Sequence, residues 1–328
     1  MDEMLDKYDL QYGDLSDGTP LSTKRKPGKA YKNVMVRELE DAVVKNALQT
    51  TYTPSRFEEE WLLAALGGFY QDNFITDVLA KVKGGKEANV YCCLAHDVIG
   101  TELLAAKVYR PRQQRNLRND KMYREGRPTL KSDGTAVKGS DSRLIRAMNK
   151  KSDFGKQVQH TSWLMYEFTT LATLHEAGAS VPKPYAVNDN TILMGYMGSQ
   201  TAGAPTLHEI DLDESESLPL FQEVMRNIVL MLQRDMIHGD LSAYNILYWE
   251  GDITLIDFPQ VTNSRNNENA QMILERDITR VCEYFASQGV SYDPQEIMES
   301  LWYRHEANDW IRCEWLPDSP SQEDEFTI

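Results

Sequence analysis

Apolar and polar positions alternate along ITDVLAKVK (75–83), a period of two that predicts a strand. ANVYCCLA (88–95) and ELLAAKVYR (102–110) carry apolar or β-branched runs bounded by turn signals, and GGKE (84–87) is a turn between the first two runs. Residues 75–110 therefore predict an antiparallel meander. Ahead of it, SRFEEEWLLAALGGFY (55–70) has Ser55 as a cap, acids in the first turn and apolar residues after, which predicts a helix ended by Gly67-Gly68. In VQHTSWLMYEFTTLATLHEAG (158–178), Trp163, Tyr166, Leu171 and Leu174 recur close to a helical period, and Gly178 stops it. KPYAVNDNTILMGYMG (183–198) predicts two short strands joined by an Asn-Asp-Asn turn. SLPLFQEVMRNIVLMLQRDM (217–236) is the strongest helical pattern, with further helical segments at 269–288 and 293–304. Strands, one helix, strands and then mostly helices predict an α+β, two-lobed chain. Its small β-rich N-lobe falls within 55–198 and its mainly helical C-lobe within 199–305. Residues 1–54 are polar and rich in breakers at 22–32, and are expected to be a tail of low order; 306–328 are expected to be an acidic C-terminal tail.

Composition narrows the setting. WLLAALGGFY (61–70), the longest nearly apolar run, is about half of a membrane-spanning helix, so no membrane role is expected. The acidic start lacks an apolar h-region, which argues against a signal peptide. Cys92, Cys93, Cys282 and Cys313 show no C-x-x-C spacing; this fits neither a zinc ribbon nor a disulfide scaffold, and points to a reducing cytoplasm. The formal charge of −15 is uneven. Between Lys107 and Lys156 there are 15 Lys and Arg against 5 Asp and Glu, a local +10 that leaves −25 on the other 278 residues. A basic segment on an acidic body suits nucleotide or nucleic acid, or else is a solvated loop. With its Gly, Ser and Asp breaks and no sustained period, 111–156 is expected to be a flexible insert.

The chemistry concentrates in HGDLSAYNILYWEGDITLIDFPQ (238–260). Asp240 and Asn245 are separated by four residues, a spacing that resembles the catalytic loop of protein kinases. One loop can then aim an acceptor at a substrate hydroxyl while the amide oxygen reaches a metal. Asp257 follows a short apolar strand and resembles the Asp of the D-F-G segment, which holds Mg2+. The same pattern asks for a strand lysine and a helix glutamate. LAAKVY supplies Lys107, and Glu167 is the one acid between Asp153 and Glu176. Taken alone, each is more commonly a surface charge. His238 is expected to pack and to shape the loop rather than to act as a base. The His-Glu pairs at His175, His208 and His305 have no second His four residues on, so no zincin site is present.

GGKEANVY (84–91), LAAKVYR (104–110), RNLRNDKMYREGR (115–127), HGDLSAYNIL (238–247), LIDFPQ (255–260) and LERD (274–277) together resemble the RIO family of atypical serine/threonine protein kinases. The resemblance is to its first type in a prokaryote-like form, and covers roughly 55–290. It implies a protein-kinase-like fold with ATP and Mg2+ (or Mn2+) between the lobes. Gly84, Gly85, Lys86, Glu87, Ala88, Asn89 and Val90 would cover the nucleotide, with Lys107 on the α/β-phosphates and oriented by Glu167. Met194 would wall the adenine pocket, and backbone groups of Gly195 and Met197 would read the base. Asn245 and Asp257 would hold the metal, and Asp240 would accept the hydroxyl proton or orient the attacking group. The resemblance also implies transfer to Asp257 itself, as an acyl phosphate. Ordinary protein kinases differ: Ser242 stands where they carry a lysine, Pro259 where they carry the D-F-G glycine, and no A-P-E segment follows. A small-molecule kinase of the aminoglycoside or choline kind shares H-G-D-x-x-x-x-N. An ATP-gated assembly factor acting on RNA or a ribosomal particle is a further alternative, and an inactive scaffold the last. The protein substrate is not named by these residues.

Overall fold

The computed structural model describes residues 50–110, 121–150, 152–311 and 313–315. The predicted meander forms as β1 (Ile75–Gly84), β2 (Ala88–Ala95) and β3 (Leu103–Tyr109). Together with β4 (Pro184–Val187) and β5 (Thr191–Gly195) it makes one antiparallel sheet in the order β1-β2-β3-β5-β4. Every residue of β3 is buried, as a central strand covered on both faces requires.

The pleat of β3 sorts its side chains between two cores. Leu104, Ala106 and Val108 pack with Leu62, Leu66 and Phe69 of α1 (Arg56–Gln71). Ala105 and Tyr109 join the larger core with Leu164, Leu171 and Leu174 of the long helix α4 (Asp153–Glu176). Lys107 lies between Ala105 and Tyr109 on that second face, so strand periodicity alone aims its ammonium at α4.

α1 does not end at Gly67-Gly68 but runs through both to Gln71. Each glycine costs about 1 kcal/mol in a helix, and the burial of Leu66 and Phe69 against the sheet outweighs that. The basic segment is not without regular structure: among its described residues it holds α2 (Lys121–Arg124), α3 (Ser142–Asn149) and the start of α4, which begins at Asp153. α3 and α4 cross so closely that a Cβ on Gly155 would stand 2.1 Å from the Ala147 carbonyl oxygen. Residues 111–120 of the insert lie outside the described residues.

The C-lobe is built on α5 (Glu214–Leu232), α6 (Ala270–Ser287) and α7 (Pro294–Ala307). Two short strand pairs, β6 (Met236–Ile237) with β9 (Thr262–Asn263) and β7 (Ile246–Trp249) with β8 (Asp252–Leu255), carry the loops between α5 and α6. The expected acidic tail starts too early: beyond α7, Cys313 and Trp315 are buried, and the Trp315 ring lies 5.7 Å from Phe221 in the core. The last residues of the expected N-terminal tail are ordered too, with Tyr52 N–H donating to the Val78 carbonyl at 2.8 Å. Residues 1–49 and 316–328 lie outside the described residues.

Candidate active site

β3 and α4 bring Lys107 to Glu167 across 60 positions of sequence, with Nζ 2.6 Å from Oε1. Glu167 is 1% exposed, and its second oxygen accepts the Tyr109 hydroxyl, two residues along the same strand face from Lys107. Tyr109 is braced by an edge-on contact with Trp163, one turn before Glu167, at 4.7 Å. Lys107 Nζ also donates to Asp257 Oδ1 at 2.6 Å. Burial alone would depress the lysine's pKa, but the charges of Asp257 and Glu167 outweigh it and hold Lys107 well above its ordinary value. Burial likewise pushes the Asp257 carboxyl up, and the Lys107 ammonium more than reverses this, leaving it below its ordinary value. The Asp257 side chain keeps 44% of its surface exposed.

The two C-lobe motifs interlock. Gly239 has φ +84°, and a Cβ there would come within 2.4 Å of the Gln260 carbonyl oxygen, so the 238–245 loop accepts only glycine where it passes the 257–260 segment. Asp257 itself is held in the left-handed region, at φ 71°. His238 is buried; its Nδ1 accepts the Asp240 N–H at 3.3 Å, which makes Nε2 the donor to the Ile256 carbonyl at 3.1 Å. Burial lowers its pKa, in keeping with a neutral ring that joins the two loops. Asn245 Nδ2 donates to the Asp240 carbonyl at 2.8 Å and to Asp240 Oδ2 at 3.4 Å, so the amide oxygen is the atom turned away from Asp240.

The 84–90 loop shows why it begins with glycine. Gly85 N–H donates to the Ala88 carbonyl at 2.9 Å, and a Cβ on Gly85 would sit 2.7 Å from that oxygen. Ala88 and Val90 pack toward the larger core, on the Lys107 side of the sheet, and Met194 is buried with them. Lys86 is exposed at the tip, beside Glu87, whose carbonyl accepts the Arg110 N–H at 2.9 Å. Asn89 departs from the expected direct contact: its side chain turns to the α1 face, where it meets Glu58, Tyr91 and Arg110. Gly195 N–H donates to the Lys183 carbonyl and the Met197 carbonyl accepts from Ala204, at 2.8 and 3.0 Å.

Three further groups meet the catalytic loop from α6. Asp277 accepts the Gly239 N–H at 2.7 Å; Arg276 donates to the Gly239 carbonyl and, at 2.7 Å, to the Tyr123 hydroxyl; Arg280 Nη1 meets Asp240 Oδ1 at 2.9 Å. Only the LERD stretch hinted at the first two, and Arg280, one turn beyond Arg276 on the same helix face, was missed. Tyr109 was also missed, though its place two residues after Lys107 was a usable signal. Burial raises the Asp277 carboxyl to about 6, against the opposing pull of Arg276.

Among the described residues no cluster of three or more His, Cys, Asp or Glu is placed to hold a metal. The Asn245 amide oxygen and the Asp257 carboxylate fit a different case, a hard cation that takes its other ligands from phosphates and water.

A β-sheet lobe and a helical lobe, with a strand lysine paired to a helix glutamate and to a loop aspartate, define a protein-kinase-like fold. The sequence matches the RIO domain over residues 90–297. It is 28% identical over 287 residues to the RIO-type serine/threonine-protein kinase Rio1 of Haloferax volcanii, covering 87% of each chain. It is 30% identical over 231 residues to the serine/threonine-protein kinase RIO1 of Chaetomium thermophilum, covering 66% of this chain and 41% of that protein. A Rio1 kinase of Thermoplasma acidophilum is 31% identical over 139 residues, 42% of this chain and 72% of that one. The chain belongs to the RIO family of atypical serine/threonine protein kinases.

Proposed function

We propose that the chain transfers the γ-phosphoryl group of ATP, and that its first acceptor is its own Asp257. The observation that carries this is the double pairing of Lys107, at 2.6 Å to Glu167 and 2.6 Å to Asp257. An ammonium has three N–H donors, so one remains for the α/β-phosphates while Glu167 keeps the side chain aimed. Gly84, Gly85 and Lys86 form the tip over the phosphates, and Ala88, Val90 and Met194 the apolar walls around the base. With the Gly195 N–H bonded to the Lys183 carbonyl and the Met197 carbonyl to the Ala204 N–H, we assign the Gly195 carbonyl and the Met197 N–H to the adenine edge. Asn245 and Asp257 would hold the metal, Mg2+ or Mn2+, which neutralises charge on the phosphates when bound.

Asp257 is ionised and half exposed, as a nucleophile must be. Its carboxylate oxygen attacks Pγ and ADP leaves; water, oriented by Asp240, then attacks phosphorus and restores the carboxylate. A serine or threonine hydroxyl in the place of that water gives kinase activity, with Asp240 accepting the proton. The missing A-P-E segment, which docks peptides in ordinary kinases, favours water. The test is a single turnover of γ-labelled ATP by the full chain, quenched and treated with hydroxylamine. A hydroxylamine-labile adduct, lost in Asp257→Asn, and phosphate release exceeding peptide label are expected. Only hydroxylamine-stable label, or a labile adduct persisting in Asp257→Asn, would overturn the Asp257 route in favour of direct transfer through Asp240.

A contact with RNA or a ribosomal particle through the basic segment is a second reading, carried by its local +10 charge. RNA binding by the full chain that does not weaken with salt would count against it. All four cysteines are free, which supports a reducing, cytoplasmic setting. No helix among the described residues is long and apolar enough to cross a membrane.

A further inference from the structure

The catalytic loop lacks the lysine that ordinary protein kinases place two residues after the catalytic Asp; Ser242 stands there, its carbonyl accepting the Asn245 N–H at 2.9 Å. A cation reaches Asp240 from another element. Arg280 Nη1, on α6, lies 2.9 Å from Asp240 Oδ1. Its position is fixed by its helix neighbours. Asp277 takes the Gly239 N–H at 2.7 Å and Arg276 donates to the Gly239 carbonyl, so α6 is bolted to the residue before Asp240. Arg276, Asp277 and Arg280 share one helix face, and the first two are committed to the loop backbone. Of these three, Arg280 is the one that meets the Asp240 carboxylate. The two side chains are 40% and 41% exposed, so the pair is open to an incoming group.

We propose that Arg280 supplies the positive charge that position 242 lacks: it holds Asp240 toward the acceptor and stabilises negative charge on the phosphoryl group as it transfers. Arginine suits this task, since its planar fork keeps N–H groups for phosphate oxygens after one has bonded a carboxylate. The inference rests on the phosphotransfer reading above. The competing account is a surface ion pair with no part in the reaction. Such half-exposed pairs contribute little to stability, so loss of this one would scarcely move Tm and would leave turnover intact.

The experiment measures ATP turnover and Tm for the full chain as wild type, Arg280→Ala, Arg280→Lys, Ser242→Lys with Arg280→Ala, and Asp240→Asn. Arg146→Ala, an exposed arginine on α3, is the control. Arg280→Ala is expected to lower kcat by about 10- to 100-fold, in the range of removing one transition-state donor. Its KM for ATP should stay within about threefold, because the charge acts on the transferring group rather than on the bound nucleotide. Arg280→Lys should fall between the two. The double variant should regain at least about tenfold over Arg280→Ala, because the charge returns from the loop itself. If Arg280→Ala keeps kcat within about twofold of wild type while Asp240→Asn loses it, the phosphotransfer reading stands and the role of Arg280 is refuted. A double variant no better than Arg280→Ala, or a kcat loss that follows a drop in Tm, also refutes it. A wild-type chain that neither binds nor turns over ATP overturns both.

Discussion

Glu167 is the most informative residue to change, because it is buried, charged and bonded on both oxygens. Glu167→Gln preserves the shape of the side chain and removes its charge. Glu167 is 1% exposed, with Lys107 Nζ at 2.6 Å on one oxygen and the Tyr109 hydroxyl on the other. The amide can still offer an oxygen to Lys107 and an N–H to the Tyr109 oxygen, so the geometry survives. Breaking a buried ion pair costs about 3–5 kcal/mol when the remaining charge is left alone. Here Lys107 keeps Asp257 at 2.6 Å, so it is not stranded. A loss of about 2 kcal/mol is therefore expected, below that range. For a domain of this size that lowers Tm by about 4–8 °C. With its counter-pull gone, Lys107 should settle on Asp257, occupying the group proposed to bind metal and attack Pγ, and turnover should fall by at least about tenfold, roughly 1.4 kcal/mol in barrier. Calorimetry and a steady-state phosphate-release assay read the two effects separately. A Tm within about 1 °C of wild type together with unchanged turnover would show that the Lys107–Glu167 pair neither supports the fold nor aims the lysine.

Gly85→Ala places a methyl where 2.7 Å separates it from the Ala88 carbonyl oxygen; the loop must open, and KM for ATP should rise by about tenfold with Tm nearly unchanged, whereas an unaltered KM would remove the 84–90 loop from the nucleotide site. Asp277 titrates at about 6 when folded, above its unfolded value, so between about pH 4 and 6 the folded state holds the extra proton and stability falls as pH rises. The contribution is on the order of 3 kcal/mol. Asp277→Asn can keep the bond to the Gly239 N–H and should lose that slope, gaining on wild type as pH rises through the window; parallel stability–pH curves for the two proteins would refute this.

Local pattern was enough wherever one stretch of chain contained its own instructions. Alternation and turn residues determined β1, β2 and β3, with the predicted span of ANVYCCLA matching β2. The spacing of Asp240, Asn245 and Asp257 announced phosphate chemistry because one loop and one strand end carry all three. Lys107 and Glu167 were also legible, the first from its place on a central strand and the second because no other acid lies within that helix. What lay beyond reach depended on partners far along the chain. Gly67-Gly68 reads as a stop, yet the sheet buries Leu66 and Phe69 strongly enough to carry the helix past it. Trp315 looked like part of a polar tail until Phe221 and Tyr292 supplied a surface for its ring. Asn89 sits in a nucleotide-loop motif, but the pleat turns it toward Glu58 on the opposite face. Arg280 carries no motif at all. It gains a partner only because Asp277 and Arg276 fasten α6 to Gly239, and a charge 40 residues from Asp240 then lies 2.9 Å from it. Backbone preference is a short-range property and is written locally; burial and charge pairing act through space, and only the folded chain brings those distances into being.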